Sequence, residues 1–191
     1  MSKLIGLKNY LFKMADVLKK YNVEFFLSSG TLLGAIRDKD FIKGDIDIDI
    51  GVKINYFKDN KLLAKVCADL KKVNIYPHIN WNDFASTCFL NSNKIPLDIY
   101  YYNKKGKYYN IYLKDKISRF PQEFIDSLDK IIFLGREFKI PHNPEKYLEY
   151  LYGKDWRIPQ VGKKGTSNKI PYKHYTLISY HSIIPLYRKQ K

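Results

Sequence analysis

Cysteine is scarce, with two residues among 191. Cys67 and Cys88 cannot form a disulfide framework for a chain of this length, and neither lies in a CxxC or Cys/His zinc spacing. Cys67 falls in a helical pattern and Cys88 in a strand pattern, so both are expected as reduced core thiols. Long hydrophobic runs are also missing. The opening "MSKLIGLKNYLFKMADVLKK" is interrupted by Lys8, Asn9 and Lys13, and it has neither a signal-peptide core nor a membrane span. The expectation is a soluble, cytoplasmic protein, with peripheral attachment to an anionic membrane left open. Acids are few: 19 Asp and Glu stand against 34 Lys and Arg, a net charge of +15. Such a surface favours anionic partners such as nucleic acid, phospholipid, a phosphorylated glycan or a nucleotide.

What is present is globular. Leu4, Leu7, Leu11, Met14 and Leu18 recur at spacings of three and four, one face of an amphipathic helix ending near Lys20. "VEFFL" reads as a buried strand, "SSGT" as a turn, "LLGAIR" as a short helix and "DIDIDIGV" as a second strand. Phe57, Leu62, Leu63, Val66 and Leu70 predict another helix. "VNIYPHI", "STCFL", "IPLDIYYY" and "YYNIYL" predict strands, with turns at Asn91–Asn93 and Asn103–Lys107. "IIFLGREFKIP" reads as two strands about Gly135. Asn143, Pro144 and Gly153 then mark the cap, first position and stop of a helix. The order predicts a mixed sheet flanked by helices, in the α/β or α+β class. A first unit is expected over residues 1–159. A basic C-terminal extension over 160–191, of small helical character, is expected to follow it.

The few acids are not spread evenly. Asp45, Asp47 and Asp49 alternate with Ile46, Ile48 and Ile50. On a strand these carboxylates would share one face, with the isoleucines packed on the other. Their mutual repulsion gives the fold nothing, and a cation would relieve it. Oxygen-only ligands select a hard ion, Mg2+ or Mn2+. Residues i and i+2 lie about 6.6 Å apart along a strand, so neighbouring acids can converge and the outer two hardly can. Asp47 and Asp49 are therefore the expected core pair, with Asp45 at the rim or on a second ion. Asp98, a lone acid in the apolar "PLDIY", is the expected third ligand or a general base. The turn "SSGTLLG" offers backbone N–H groups and the hydroxyls of Ser29 and Thr31 to a phosphate, with Gly30 permitting close approach. Arg37 adds a candidate bidentate contact. Together these residues describe phosphoryl-type transfer from a nucleotide.

The stretches "SSGTLLGAIRDKDFIKGDIDIDIG", "PLDIY" and "FLGREFKIPHNPEKYLEYLYGKDWRIP" resemble the LicD family, within the nucleotidyltransferase-fold superfamily that includes fukutin and fukutin-related protein. The resemblance implies a nucleotidyltransferase-like mixed sheet. It also implies transfer of a phosphate-linked group, phosphocholine or an alditol phosphate, from a CDP-activated donor to a glycan hydroxyl. Gly30 and Thr31 match the glycine motif, Asp47 and Asp49 the metal-binding pair, Asp45 the leading acid and Asp98 the later strand acid. Lys43-Gly44 replaces the usual Pro-Trp, and Ile46 interrupts the usual acid triplet. A same-superfamily enzyme placing NMP on a small molecule or RNA is the alternative. A non-catalytic nucleic-acid-binding module ranks third, because no nucleic-acid motif is recognised. Tyr100, Tyr101, Tyr102, Tyr108 and Tyr109 suit either a cage for a quaternary ammonium or ordinary strand packing.

Overall fold

The computed structural model describes residues 3–57, 60–78, 86–113, 116–159 and 175–177. Helix α1 (Lys3–Lys20) buries Leu7, Leu11, Met14 and Leu18 on the face their spacing predicts. Its basic last turn, Lys19 and Lys20, suits the negative end of the helix dipole. Strand β1 (Phe25–Leu27) leads directly into α2 (Ser29–Arg37). Strand β2 (Ile48–Lys53) follows, then a short 3-10 turn and α3 (Asn60–Lys72). Five strands come next: β3 (Ile75–His78), β4 (Ser86–Asn91), β5 (Pro96–Lys105), β6 (Tyr108–Leu113) and β7 (Lys116–Pro121). The hairpin β8 (Leu128–Phe133) and β9 (Arg136–Pro141) precedes α4 (Pro144–Tyr152).

Strand β5 organises the mixed sheet. Its first part pairs parallel with β2 and antiparallel with β4. Residues 103–105 pair instead with β6, which continues the sheet to β7. Strand β1 closes the other side, antiparallel to β2. The parallel pair needs a crossover, and α3 with the β3–β4 hairpin supplies it. One core joins α1, α2, the central strands, the β8–β9 hairpin and α4, with Trp156 buried in it. Strand β7 is absent from the pattern expected above. "KISRFP" alternates weakly, and the buried positions Ser118 and Phe120 include a polar one. The described part of 160–191 is a strand, β10 (Tyr175–Leu177), paired antiparallel with β7. Any helix in that extension lies outside the described residues. No described helix is long and apolar enough to cross a membrane.

Strand β9 lies alongside β1, tied through Glu24, whose carboxylate meets Lys139 and also Lys53 at 3.6 Å. The Lys139 hydrogen bond, with smaller help from Lys53, holds the Glu24 carboxyl below its usual range. A lowered carboxyl stabilises the fold above its unfolded pKa and loses that contribution as pH falls through the folded value. Glu24→Gln should therefore cost about 1 kcal/mol at pH 7 in urea unfolding, a difference that shrinks as pH falls through the folded pKa.

Candidate active site

Asp49 and Asp98 face each other because of strand register. In the parallel ladder of β2 and β5, Asp49 sits directly beside Asp98, flanked by Ile48 beside Leu97 and Ile50 beside Ile99. Those four apolar residues are buried, which fixes the register and turns both acids to the opposite face. Asp47 lies two residues before Asp49, in the connection that enters β2. Carboxylate oxygens of Asp47, Asp49 and Asp98 all lie within 4.8 Å of one another. Strand β2 starts at Ile48, so only Asp49 of the alternating acids is on it. Ile46 accordingly does not join the core and is 52% exposed.

The turn into α2 grips Asp49 from three sides. The Gly30 N–H donates to Asp49 Oδ2 at 2.9 Å. The Asp49 N–H donates to Thr31 Oγ1 at 2.9 Å. The Ser28 N–H donates to the Asp49 carbonyl at 3.2 Å. A Cβ at Gly30 would sit 3.0 Å from Asp45 Oδ2 and 3.1 Å from Asp49 Oδ2. An alanine there would push both carboxylates back by a few tenths of an ångström, one of them the acceptor of the Gly30 N–H. Gly34, one turn on, lets α2 press against the next loop: a Cβ there would meet the Asp40 carbonyl at 2.5 Å.

Burial pushes the Asp49 carboxyl well above its usual range, and the charges of Asp47 and Asp98 push it further. Burial, then a hydrogen bond with Asp47, pushes Asp45 up to about 7. The clustering of these acids, with Asp45 and Asp49 held above their usual range, makes this a candidate functional site. The donor set is three carboxylates, which suits a hard divalent cation. The oxygens converge from β5, β2 and the connection entering β2. The residues fit such an ion.

Residues 22–143 match the family described as LicD/FKTN/FKRP, nucleotidyltransferase domain. The chain belongs to this family. "Ribitol-5-phosphate transferase FKTN" of Macaca fascicularis is 28% identical over 196 residues, covering 94% of this chain and 40% of its own length. "Ribitol 5-phosphate transferase FKRP" of Homo sapiens is 26% identical over 150 residues, covering 73% of this chain and 30% of its own. The chain thus spans well under half the length of these curated relatives. Among solved structures, the lincosamide antibiotic adenylyltransferase LnuA shares the fold, with TM-score 0.51 and 15% identity over 73% of this chain and 83% of that one.

In this LicD-family domain the other expected site residues have definite places. Ser29 and Thr31 are buried in the first turn of α2, and the Thr31 hydroxyl is engaged by Asp49. Arg37, at the far end of α2, forms a two-pronged bond to Asp38, from Nε at 2.7 Å and Nη2 at 2.8 Å. Asp45 lies against Asp47 and Gly30, outside the group of three. Cys88 is the antiparallel neighbour of Asp98. Burial, then the Asp98 charge, pushes its thiol up to about 12, so it stays protonated and unreactive at neutral pH. Of the tyrosines on β5 and β6, Tyr102 and Tyr109 are buried and Tyr108 is exposed. Tyr102 is buried against Phe26 and Phe120, and buried Tyr109 bonds Asp126. His142 bonds Asp129, whose other oxygen accepts the Asn143 N–H at the start of α4. The sequence did not single out Ser28 or Tyr147, which lie behind the Asp49 grip. Only the adjacency of Ser28 to the glycine turn could have drawn attention to it.

Proposed function

We propose that this chain is the catalytic domain of a divalent-cation-dependent transferase. It moves a phosphate-linked group, of the alditol phosphate or phosphocholine type, from a CDP-activated donor to a glycan hydroxyl. The convergence of Asp47, Asp49 and Asp98 carries this reading, and the two ribitol-phosphate transferases support the class of group transferred. Asp47, Asp49 and Asp98 would hold Mg2+ or Mn2+, with Asp45 beside them. The ion supplies charge neutralisation at the donor's diphosphate. The α2 turn keeps Asp49 aimed through the Gly30 N–H and the Thr31 hydroxyl. Arg37 reaches a phosphate by exchanging Asp38 for it. In the reaction the acceptor oxygen bonds to the transferred phosphorus, the bond to CMP breaks, and the hydroxyl proton passes to a carboxylate of the cluster. Residues 1–159 form this unit in the proposal. The basic composition after Pro159 would favour an anionic acceptor or membrane surface.

Incubation with CDP-ribitol, CDP-choline or CTP, Mg2+ and a glycan acceptor tests the reaction. Release of CMP from a CDP-linked donor is expected. Pyrophosphate release from CTP, with no CMP from either donor, would instead identify a nucleotidyltransferase. A thermal-shift screen should show stabilisation by the CDP-linked compound only with the cation, of about 2–4 kcal/mol at ligand concentrations 100 to 1,000 times Kd.

A further inference from the structure

The core behind Asp49 holds hydroxyls that packing does not require. Tyr102 and Tyr147 are buried among Phe26, Phe120 and Phe124, where phenylalanine would fill the same space. Yet the Tyr102 and Tyr147 hydroxyls lie 2.8 Å apart, and Tyr102 OH lies 3.0 Å from Ser28 Oγ. Ser28 Oγ is in turn 3.5 Å from Ser29 Oγ. Ser28, Tyr102 and Tyr147 are each fully buried.

This chain of hydroxyls ends on a strained turn. Ser29 has φ of +42°, a left-handed conformation that a serine adopts at a cost. It persists only where surrounding contacts over-determine it. Directly after it comes Gly30, whose N–H aims at Asp49 Oδ2. Directly before it, the Ser28 N–H holds the Asp49 carbonyl. Tyr147 reaches the turn from α4, beyond the residues that match the family domain.

We propose that Tyr102 and Tyr147 are positioning residues: through Ser28 their hydroxyls clamp the Ser28–Gly30 turn in the conformation that orients Asp49. They touch neither substrate nor the reacting atoms. Their consequence for catalysis rests on the transferase reading, but the clamp itself is a property of the fold. Replacing both phenols with phenylalanine keeps the ring packing but leaves the buried Ser28 hydroxyl with only Ser29 at 3.5 Å, so the cost falls on the turn. Local order at the turn is what is lost.

Hydrogen–deuterium exchange on the metal-free full chain tests this with Tyr102→Phe, Tyr147→Phe and the double variant. The peptide covering 28–31 should exchange about five- to tenfold faster in the double variant, with exchange elsewhere in β5 and α4 little changed. Ser28→Ala should reproduce the effect. Unchanged exchange at 28–31, or acceleration spread equally through β5 and α4, would overturn the proposal. Mn2+ affinity measured by electron paramagnetic resonance should also weaken about five- to tenfold in the double variant. If the wild type bound no Mn2+ while the exchange result held, the metal-dependent transferase would fall and the clamp would stand.

Discussion

Asp49→Asn is expected to abolish transfer while making the metal-free protein more stable. The expected loss of turnover is about a thousandfold or more, because the variant removes a ligand charge where the diphosphate must be neutralised. The fold should be kept, since asparagine can still accept the Gly30 N–H through its side-chain oxygen. Stability should rise by about 1–2 kcal/mol at neutral pH, because a desolvated carboxyl facing two others is replaced by a neutral amide. The pH dependence follows the same logic. Asp45 and Asp49 both titrate higher in the folded state than in the unfolded chain. The folded state therefore keeps protons that the unfolded chain releases above about pH 4. Their contribution is fully present below that pH and is lost as pH rises through about 7 for Asp45. Urea titrations of the EDTA-treated protein should show stability falling over this range, with a shallower slope in Asp49→Asn. Wild-type turnover in the variant would end the assignment of Asp49.

Gly51→Ala is expected to cause a large loss of stability. Gly51 sits in the centre of β2, opposite Phe26 of β1 and beside Tyr100 of β5. A Cβ there would come 2.4 Å from Phe26 Cζ and 2.8 Å from Tyr102 Cε2. Those rings are themselves packed edge-on, with centroids 5.0 Å apart, so neither can move without disturbing the other. Overpacking of this kind should cost about 3 kcal/mol. For a chain of this size that corresponds to a fall in melting temperature of about 6–12 °C. Trimming the clashing ring with Phe26→Leu should recover part of the loss, giving a favourable coupling in a double-mutant cycle. A Gly51→Ala melting temperature equal to wild type would show that the rings yield freely.

These effects trace how far the residues alone lead. The helices were legible because α1 and α4 carry clean apolar periodicity and, for α4, Pro144 and Gly153 at its ends. Asn143 stands at the cap position but donates its backbone N–H to Asp129 and makes no side-chain cap. The approach of Asp47, Asp49 and Asp98 was legible because lone acids in apolar strands need a reason to be there. Their register was not, since it depends on a parallel pairing between segments far apart in sequence. Alternation also suggested too long a strand. Asp45 and Asp47 precede it, because Gly44 at φ of +88° turns the chain just ahead of them. Local pattern also could not show that the glycine turn spends its N–H on a carboxylate. That is a tertiary contact, set by β1 and β2 lying side by side.

The side-by-side arrangement of β2 and β5 has a consequence for how the chain matures. On a ribosome, β2 emerges with one edge bare until the residues between 53 and 96 have been made and β5 follows. Non-local parallel pairing of this kind forms late and slowly. During that interval the acidic pocket does not exist, and the bare edge of β2, with Ile48, Ile50 and Val52 on its apolar face, is open to misdirected strand addition. The carboxylates at its entrance then act as gatekeepers, discouraging self-association before they have anything to bind.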